Sequence, residues 1–181
     1  MVIAPLLILG SAPAHATDTD RYALGDSVML GAKARLKALG FGVVDAKESR
    51  QAYSGPAELR KRGADLPQNV VIHLGTNGTF PLSTCKGMVK AAGPDRRVFL
   101  VTIHVPRSWT KGNNQVIRDC AADYPEGQVT VVDWDAAATA HPAWLYSDGT
   151  HLKSAGAAAY ARLIDEAIDS AASGTGTASV R

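Results

Sequence analysis

The sequence, 181 residues long, predicts a three-layer α/β/α sandwich around a five-stranded parallel sheet. Three observations support that class. Five short apolar runs rich in β-branched residues recur along the chain, and each ends in polar or glycine residues. Segments with helical apolar spacing separate them. The runs are near-continuously apolar rather than alternating, as in strands covered on both faces. Right-handed crossovers and short connections favour the flavodoxin-like strand order 2-1-3-4-5. Its switch point lies between the first and third strands, and ligands bind there beyond the carboxyl ends. The length suits one core rather than two.

Before the first strand, "MVIAPLLILGSAPAHA" (residues 1–16) joins an apolar stretch of about ten residues to a small-x-small ending of the signal-peptidase type. No Lys or Arg precedes that stretch, so it reads either as a signal peptide or as the remnant of a membrane segment. Both readings put the following domain, residues 21–172, outside the cytoplasm, secreted or tethered through the apolar segment. The first strand is "RYALG" (21–25), and helical spacing follows from Val28 to Leu39. "FGVVDA" (41–46) is the second strand, with a helix from Pro56 to Arg62 after it. "NVVIHLG" (69–75) is the third, followed by a helix from Pro81 to Ala92. "RVFLVTI" (97–103) precedes a helix from Asn113 to Tyr124, and "QVTVVDW" (128–134) closes the sheet. A last helix starts at Ser154 and ends near Ser170, and "SGTGTASVR" (173–181) has the small, polar composition of a flexible tail.

Nineteen basic against seventeen acidic side chains leave a formal charge of +2, too small and too dispersed for a nucleic-acid partner. Lys33, Arg35 and Lys37 read as a solvated helix face. Cys85 and Cys120 are the only cysteines. An even count in an exported chain permits one disulfide, and two buried thiols are the alternative. Neither cysteine has a second ligand at the short spacing of metal sites, so no metal site is expected there.

Three loops carry the chemistry. In "ALGDSVMLGA" (23–32) Ser27 is either a helix cap or a nucleophile, and capping alone favours the first. "HLGTNG" (73–78) is on its own a common turn, but the Asn77 amide after the third strand can donate to a developing oxyanion. "SDGTHL" (147–152) sets Asp148 three residues before His151, close enough across a turn for the carboxylate to fix the imidazole tautomer. His15, His73, His104 and His141 lack an acid in comparable register and read as solvated. A serine, an amide and an acid–histidine pair on loops that converge at one sheet edge select the nucleophile reading of Ser27.

Gly25-Asp26-Ser27, Gly75-Thr76-Asn77 and Asp148-Gly149-Thr150-His151 resemble the first, third and fifth blocks of the SGNH, or GDSL-type, hydrolase superfamily. More narrowly, "GDSVMLGA", "VDAKESRQ", "HLGTNG", "HVPRSW" with Asn113 and Asn114, "VVDW" and "DGTHL" resemble the extracellular domain of acyltransferase-3-type O-acetyltransferases, including those that acetylate peptidoglycan. The resemblance implies a catalytic set of Ser27, Asp148 and His151, with an oxyanion hole made by the Ser27 N–H, Asn77 and one more main-chain donor. The superfamily's second block usually supplies a glycine for that donor; here Ala46-Lys47-Glu48-Ser49-Arg50 stands instead. Glu48 is the positional candidate, with Gly55 behind it. Arg50 is either a bridge to acids or a substrate contact. Trp109, with Tyr53, Trp144 and Tyr146, is offered as a sugar-stacking rim.

The expected activity is that of an O-acyl, acetyl above all, transferase or esterase acting on cell-wall glycan or other carbohydrate through an acyl-enzyme on Ser27, with a donor ester and a carbohydrate acceptor, a membrane acyltransferase as partner and a monomeric domain. Such a serine–histidine–acid mechanism requires no metal or cofactor. A secreted carboxylic-ester hydrolase shares every residue named. A flavodoxin-like binding module with an anion at the first helix start is the remote alternative.

Overall fold

The computed structural model describes residues 20–174. The signal-peptide or membrane-remnant segment, His15 and all but the first two residues of the expected tail lie outside the described residues. Five strands form one parallel sheet, β1 (Arg21–Gly25), β2 (Val43–Ala46), β3 (Asn69–His73), β4 (Arg97–Val101) and β5 (Val129–Val132). Their order is β2-β1-β3-β4-β5, as the run of apolar strands and short crossovers predicts. Side chains of β1 and β3 are buried along their whole length, the pattern of central strands covered on both faces.

Among the described residues six α-helices cover the sheet: α1 (Ser27–Ala38), α2 (Gly55–Arg62), α3 (Leu82–Ala92), α4 (Thr110–Ala122), α5 (Trp134–Ala140) and α6 (Ser154–Ala172). Successive strand residues point to opposite faces, so each strand feeds two cores. On one face Ala23, Val71, Phe99 and Val132 meet α1, α5 and α6 through Met29, Leu36, Trp134, Tyr160 and Ile164. On the other, Leu24, Val70, Ile72 and Leu100 meet α2, α3 and α4 through Leu59, Met88, Val89 and Ile117. Cys85 on α3 and Cys120 on α4, both fully buried, form a disulfide beneath that second layer.

Helix α5 departs from the sequence expectation. "QVTVVDW" reads as a strand through Trp134, but the strand stops at Val132, because the Asp133 carboxylate accepts the Ala136 N–H and caps a helix of small, helix-favouring alanines. α4 also begins at Thr110, three residues earlier than its apolar period suggests. No helix among the described residues is long and apolar enough to cross a membrane.

Candidate active site

The strand-to-helix turn after β1 answers whether Ser27 caps or is free. Asp26 takes the cap: it is fully buried, and its Oδ1 accepts the Val28 N–H at 3.1 Å. Ser27 is the first residue of α1 and its hydroxyl is left for other partners. The turn is tight. A Cβ on Gly25 would fall 2.5 Å from Met29 Cβ, so glycine is what lets the chain swing from strand to helix here.

The loop after β3 presents Asn77. Gly75 (φ 120°) and Gly78 (φ 150°) adopt backbone conformations that other residues rarely reach. Asn113 of α4, nearly fully buried, holds the loop by donating from Nδ2 to the carbonyls of Gly75 and Gly78, both at 2.9 Å. Its Oδ1 accepts the Phe80 N–H at 3.4 Å. Asn114 does the same service one loop along, bonding both main-chain groups of Ile103.

Asp148 organises its own turn. Oδ1 accepts the N–H groups of Thr150 (2.9 Å) and His151 (3.0 Å), and Oδ2 lies 2.7 Å from His151 Nδ1. The hydrogen bond from His151 holds the Asp148 carboxyl below the usual carboxylate range, the two main-chain donors add to this, and burial opposes it. With Nδ1–H given to the carboxylate, Nε2 carries the lone pair, and it sits 3.1 Å from Ser27 Oγ. Alcohol, imidazole and carboxylate therefore form one hydrogen-bonded chain drawn from residues 124 positions apart.

Ser27, Asn77 and His151 line two adjoining cavities. One, of about 510 Å³, runs past Leu30, Gly31, Glu48 and Ser49. The other, of about 420 Å³, runs past Val105, Pro106, Arg107, Trp109 and Thr150. Glu48 thus stands at the cavity, and so does Ser49, which the sequence reading passed over. Ser49 has a φ of 55°, left-handed backbone that favours glycine, in a turn closed by Arg50 N–H donating to Lys47 O at 3.4 Å. The sequence carries no glycine at the left-handed position to signal that turn.

Of its two expected roles Arg50 takes up the bridge: its buried guanidinium is held by Asp45 Oδ1 (2.6 Å) and by the carbonyls of Gly25 (3.0 Å) and Asp45. Other expectations are corrected. Gly55 starts α2 inside the second core, away from both cavities. Trp144 packs between His141 and Trp134, ring centroids 4.0 and 6.2 Å away, and lines neither cavity. Tyr53 and Tyr146 are exposed and line neither cavity; Trp109 does. Of the histidines read as solvated, His73 is fully buried with Nδ1 2.6 Å from Tyr160 OH, and His104 pairs with Asp135 at 2.7 Å. Among the described residues no group of three His, Cys, Asp or Glu side chains is arranged to hold a metal.

No protein-family model matches the chain. Curated relatives do. YrhL of Bacillus subtilis is 34% identical over 158 residues, covering 85% of this chain and 24% of the relative. O-acetyltransferase OatA of Staphylococcus aureus is 31% identical over 150 residues, 81% of this chain and 24% of that protein. The chain therefore spans about a quarter of the length of these relatives. Among solved structures, the C-terminal catalytic domain of the Streptococcus pneumoniae peptidoglycan O-acetyltransferase superposes with a TM-score of 0.70 at 24% identity, covering 86% of this chain and 93% of that one.

Proposed function

The chain belongs to the family of O-acetyltransferase OatA and its relatives, and on that premise we propose that it moves acetyl groups on cell-wall glycan outside the cytoplasm. The observation that carries the reading is the chain of contacts from Asp148 through His151 to Ser27, 2.7 and 3.1 Å long, with Asn77 on the same cavity wall.

In the proposed reaction Ser27 Oγ attacks the carbonyl carbon of an acetyl ester while its proton passes to His151 Nε2. The carbonyl π pair moves onto oxygen. That oxyanion is held by the Asn77 amide, the Ser27 N–H at the positive end of α1, and a main-chain N–H from the Glu48–Ser49 turn. Asp148 stabilises the imidazolium and keeps it in the right tautomer. Collapse of the intermediate expels the donor's alkoxide, which takes the proton from His151, and leaves acetyl-Ser27. A second hydroxyl, deprotonated by the same imidazole, attacks the acyl carbon; the bond to Ser27 Oγ breaks, the acetyl group stays on the attacking oxygen, and His151 returns the proton to Ser27. Two cavities meeting at Ser27 suit a chemistry with a donor and an acceptor to seat, and Trp109 beside the second offers a flat face for a sugar ring.

If water is the second nucleophile the same residues make an esterase. One observation favours that reading: the side chains of Asp148 and His151 are each 49% exposed, so solvent reaches the imidazole in the free protein. The anion-binding alternative loses ground, because the Asp26 carboxylate already occupies the start of α1.

Location outside the cytoplasm is supported by the Cys85–Cys120 disulfide, a bond that persists in oxidising compartments. A membrane acyltransferase that hands acetyl groups to this domain, and a monomeric domain beside it, complete the proposal. The test is product analysis with an acetyl donor ester, with and without cell-wall glycan oligomers. Acetylated oligomer establishes transfer; acetate alone, unaffected by the oligomer, overturns it in favour of the esterase.

A further inference from the structure

Arg50 is a buried cation that the proposed reaction leaves unused, its side chain only 9% exposed. Its guanidinium donates to the Gly25 carbonyl at 3.0 Å, to the Asp45 carbonyl, and to Asp45 Oδ1 at 2.6 Å. Gly25 is the last residue of β1, two positions before Ser27, and pairs in register with Ala46 at the end of β2. Asp45 is itself fixed from its other oxygen, since Tyr22 OH donates to Oδ2 at 3.2 Å. That contact is part of what pushes the Tyr22 phenol up to about 12: burial is the larger cause and the Asp45 charge follows. The guanidinium is thus locked onto the sheet edge that launches Ser27.

The main-chain end of the same residue reaches Asn77. The Arg50 carbonyl accepts a hydrogen bond from Asn77 Nδ2 at 3.3 Å. A carboxamide has two nearly isosteric ends, and only the NH₂ end can serve an oxyanion. A carbonyl accepts and never donates. Facing the Arg50 carbonyl, the Asn77 amide must present nitrogen rather than oxygen on that side, and the second N–H of the same nitrogen is free for the cavity it shares with Ser27. The carbonyl stays in place only while the turn does, and the turn contains the left-handed Ser49, a conformation that relaxes if released.

We propose that Arg50 is a positioning residue for the oxyanion hole: its guanidinium anchors the turn to β1 and β2, and its carbonyl sets which face the Asn77 amide shows to the reacting carbonyl. The inference rests on the reading of Asn77 as an oxyanion donor.

The experiment is a double-mutant cycle on the full chain, with Arg50→Gln, Arg50→Lys and Asn77→Ala alone and combined, measuring kcat and KM for acetyl-ester hydrolysis and the folded fraction of each variant. Arg50→Gln should lower kcat roughly 10- to 100-fold with little change in KM, since a misplaced donor is felt in the transition state. Arg50→Lys should recover part of that loss, and added guanidinium ion should restore activity to Arg50→Gln. On top of Asn77→Ala, Arg50→Gln should cost no more than about twofold, because the group it positions is gone. Equal losses in both backgrounds, or a fall in folded fraction that accounts for the whole effect, would overturn the positioning role while leaving the reading of Asn77 intact. A normal kcat for Asn77→Ala alone would instead remove the donor reading and this inference with it.

Discussion

Asp26 and Ser27 divide two tasks that adjacent polar residues at a helix start often compete for. The carboxylate satisfies the Val28 N–H, so the hydroxyl is spared to meet His151 Nε2 at 3.1 Å. Asp148 performs three tasks at once, two of them through Oδ1 to main-chain N–H groups and one through Oδ2 to the imidazole. That division makes Asp148→Asn an informative substitution. Its Oδ1 can keep both main-chain bonds, so the turn should survive. An NH₂ group would then face Nδ1, which must accept, and Nε2 would carry the proton instead of the lone pair. We expect kcat for ester hydrolysis to fall by up to roughly 10⁴-fold with the thermal midpoint close to that of the parent, measured by steady-state kinetics and circular dichroism. These residues are legible in the sequence because each lies in a short contiguous motif whose spacing carries the geometry. The Asn77–Arg50 contact is not, because it depends on where a main-chain carbonyl points.

At the level of elements, the five strands are readable because continuous apolar runs have few other uses in a chain of this length. The short α5 is not, since Trp134 extends the apolar run of β5 and only the Asp133 cap marks the true end of the strand. The same limit applies to the Lys47–Arg50 turn, whose left-handed residue is a serine where a glycine would have signalled it. The Gly75–Gly78 loop offers a direct check on how far element geometry controls the site. A Cβ at Gly75 would lie 2.6 Å from Phe80 Cε1 and 3.2 Å from Asn113 Nδ2, on backbone with a φ of 120°. Gly75→Ala should therefore displace both the loop and its Asn113 clamp. The expected result is a loss of ~1–3 kcal/mol in denaturant unfolding and a fall of roughly 10- to 100-fold in kcat.

Across the whole molecule, the sheet carries a buried imidazole into the core beneath the site. His73, at the end of β3, is fully buried against Tyr160 of α6, ring centroids 5.4 Å apart. Burial pushes its imidazole below the ordinary value, with the nearby Asp26 charge acting the other way. The unfolded chain then binds this proton more readily than the native one, so the contribution of neutral His73 is fully present above the unfolded value of about 6.5 and is lost as pH falls below it. Unfolding free energy should drop between about pH 7 and 5, and His73→Gln, which cannot titrate, should show a shallower drop. The proposed chemistry requires loops from β1, β3 and the approach to α6 to act together on one serine. Intact-protein and peptide mass spectrometry of the chain quenched during turnover of an acetyl ester tests this most directly. A single added acetyl group on the peptide containing Ser27, absent from Ser27→Ala, is the predicted result; turnover by Ser27→Ala, or acetyl carried stably on any other residue during turnover, would contradict it.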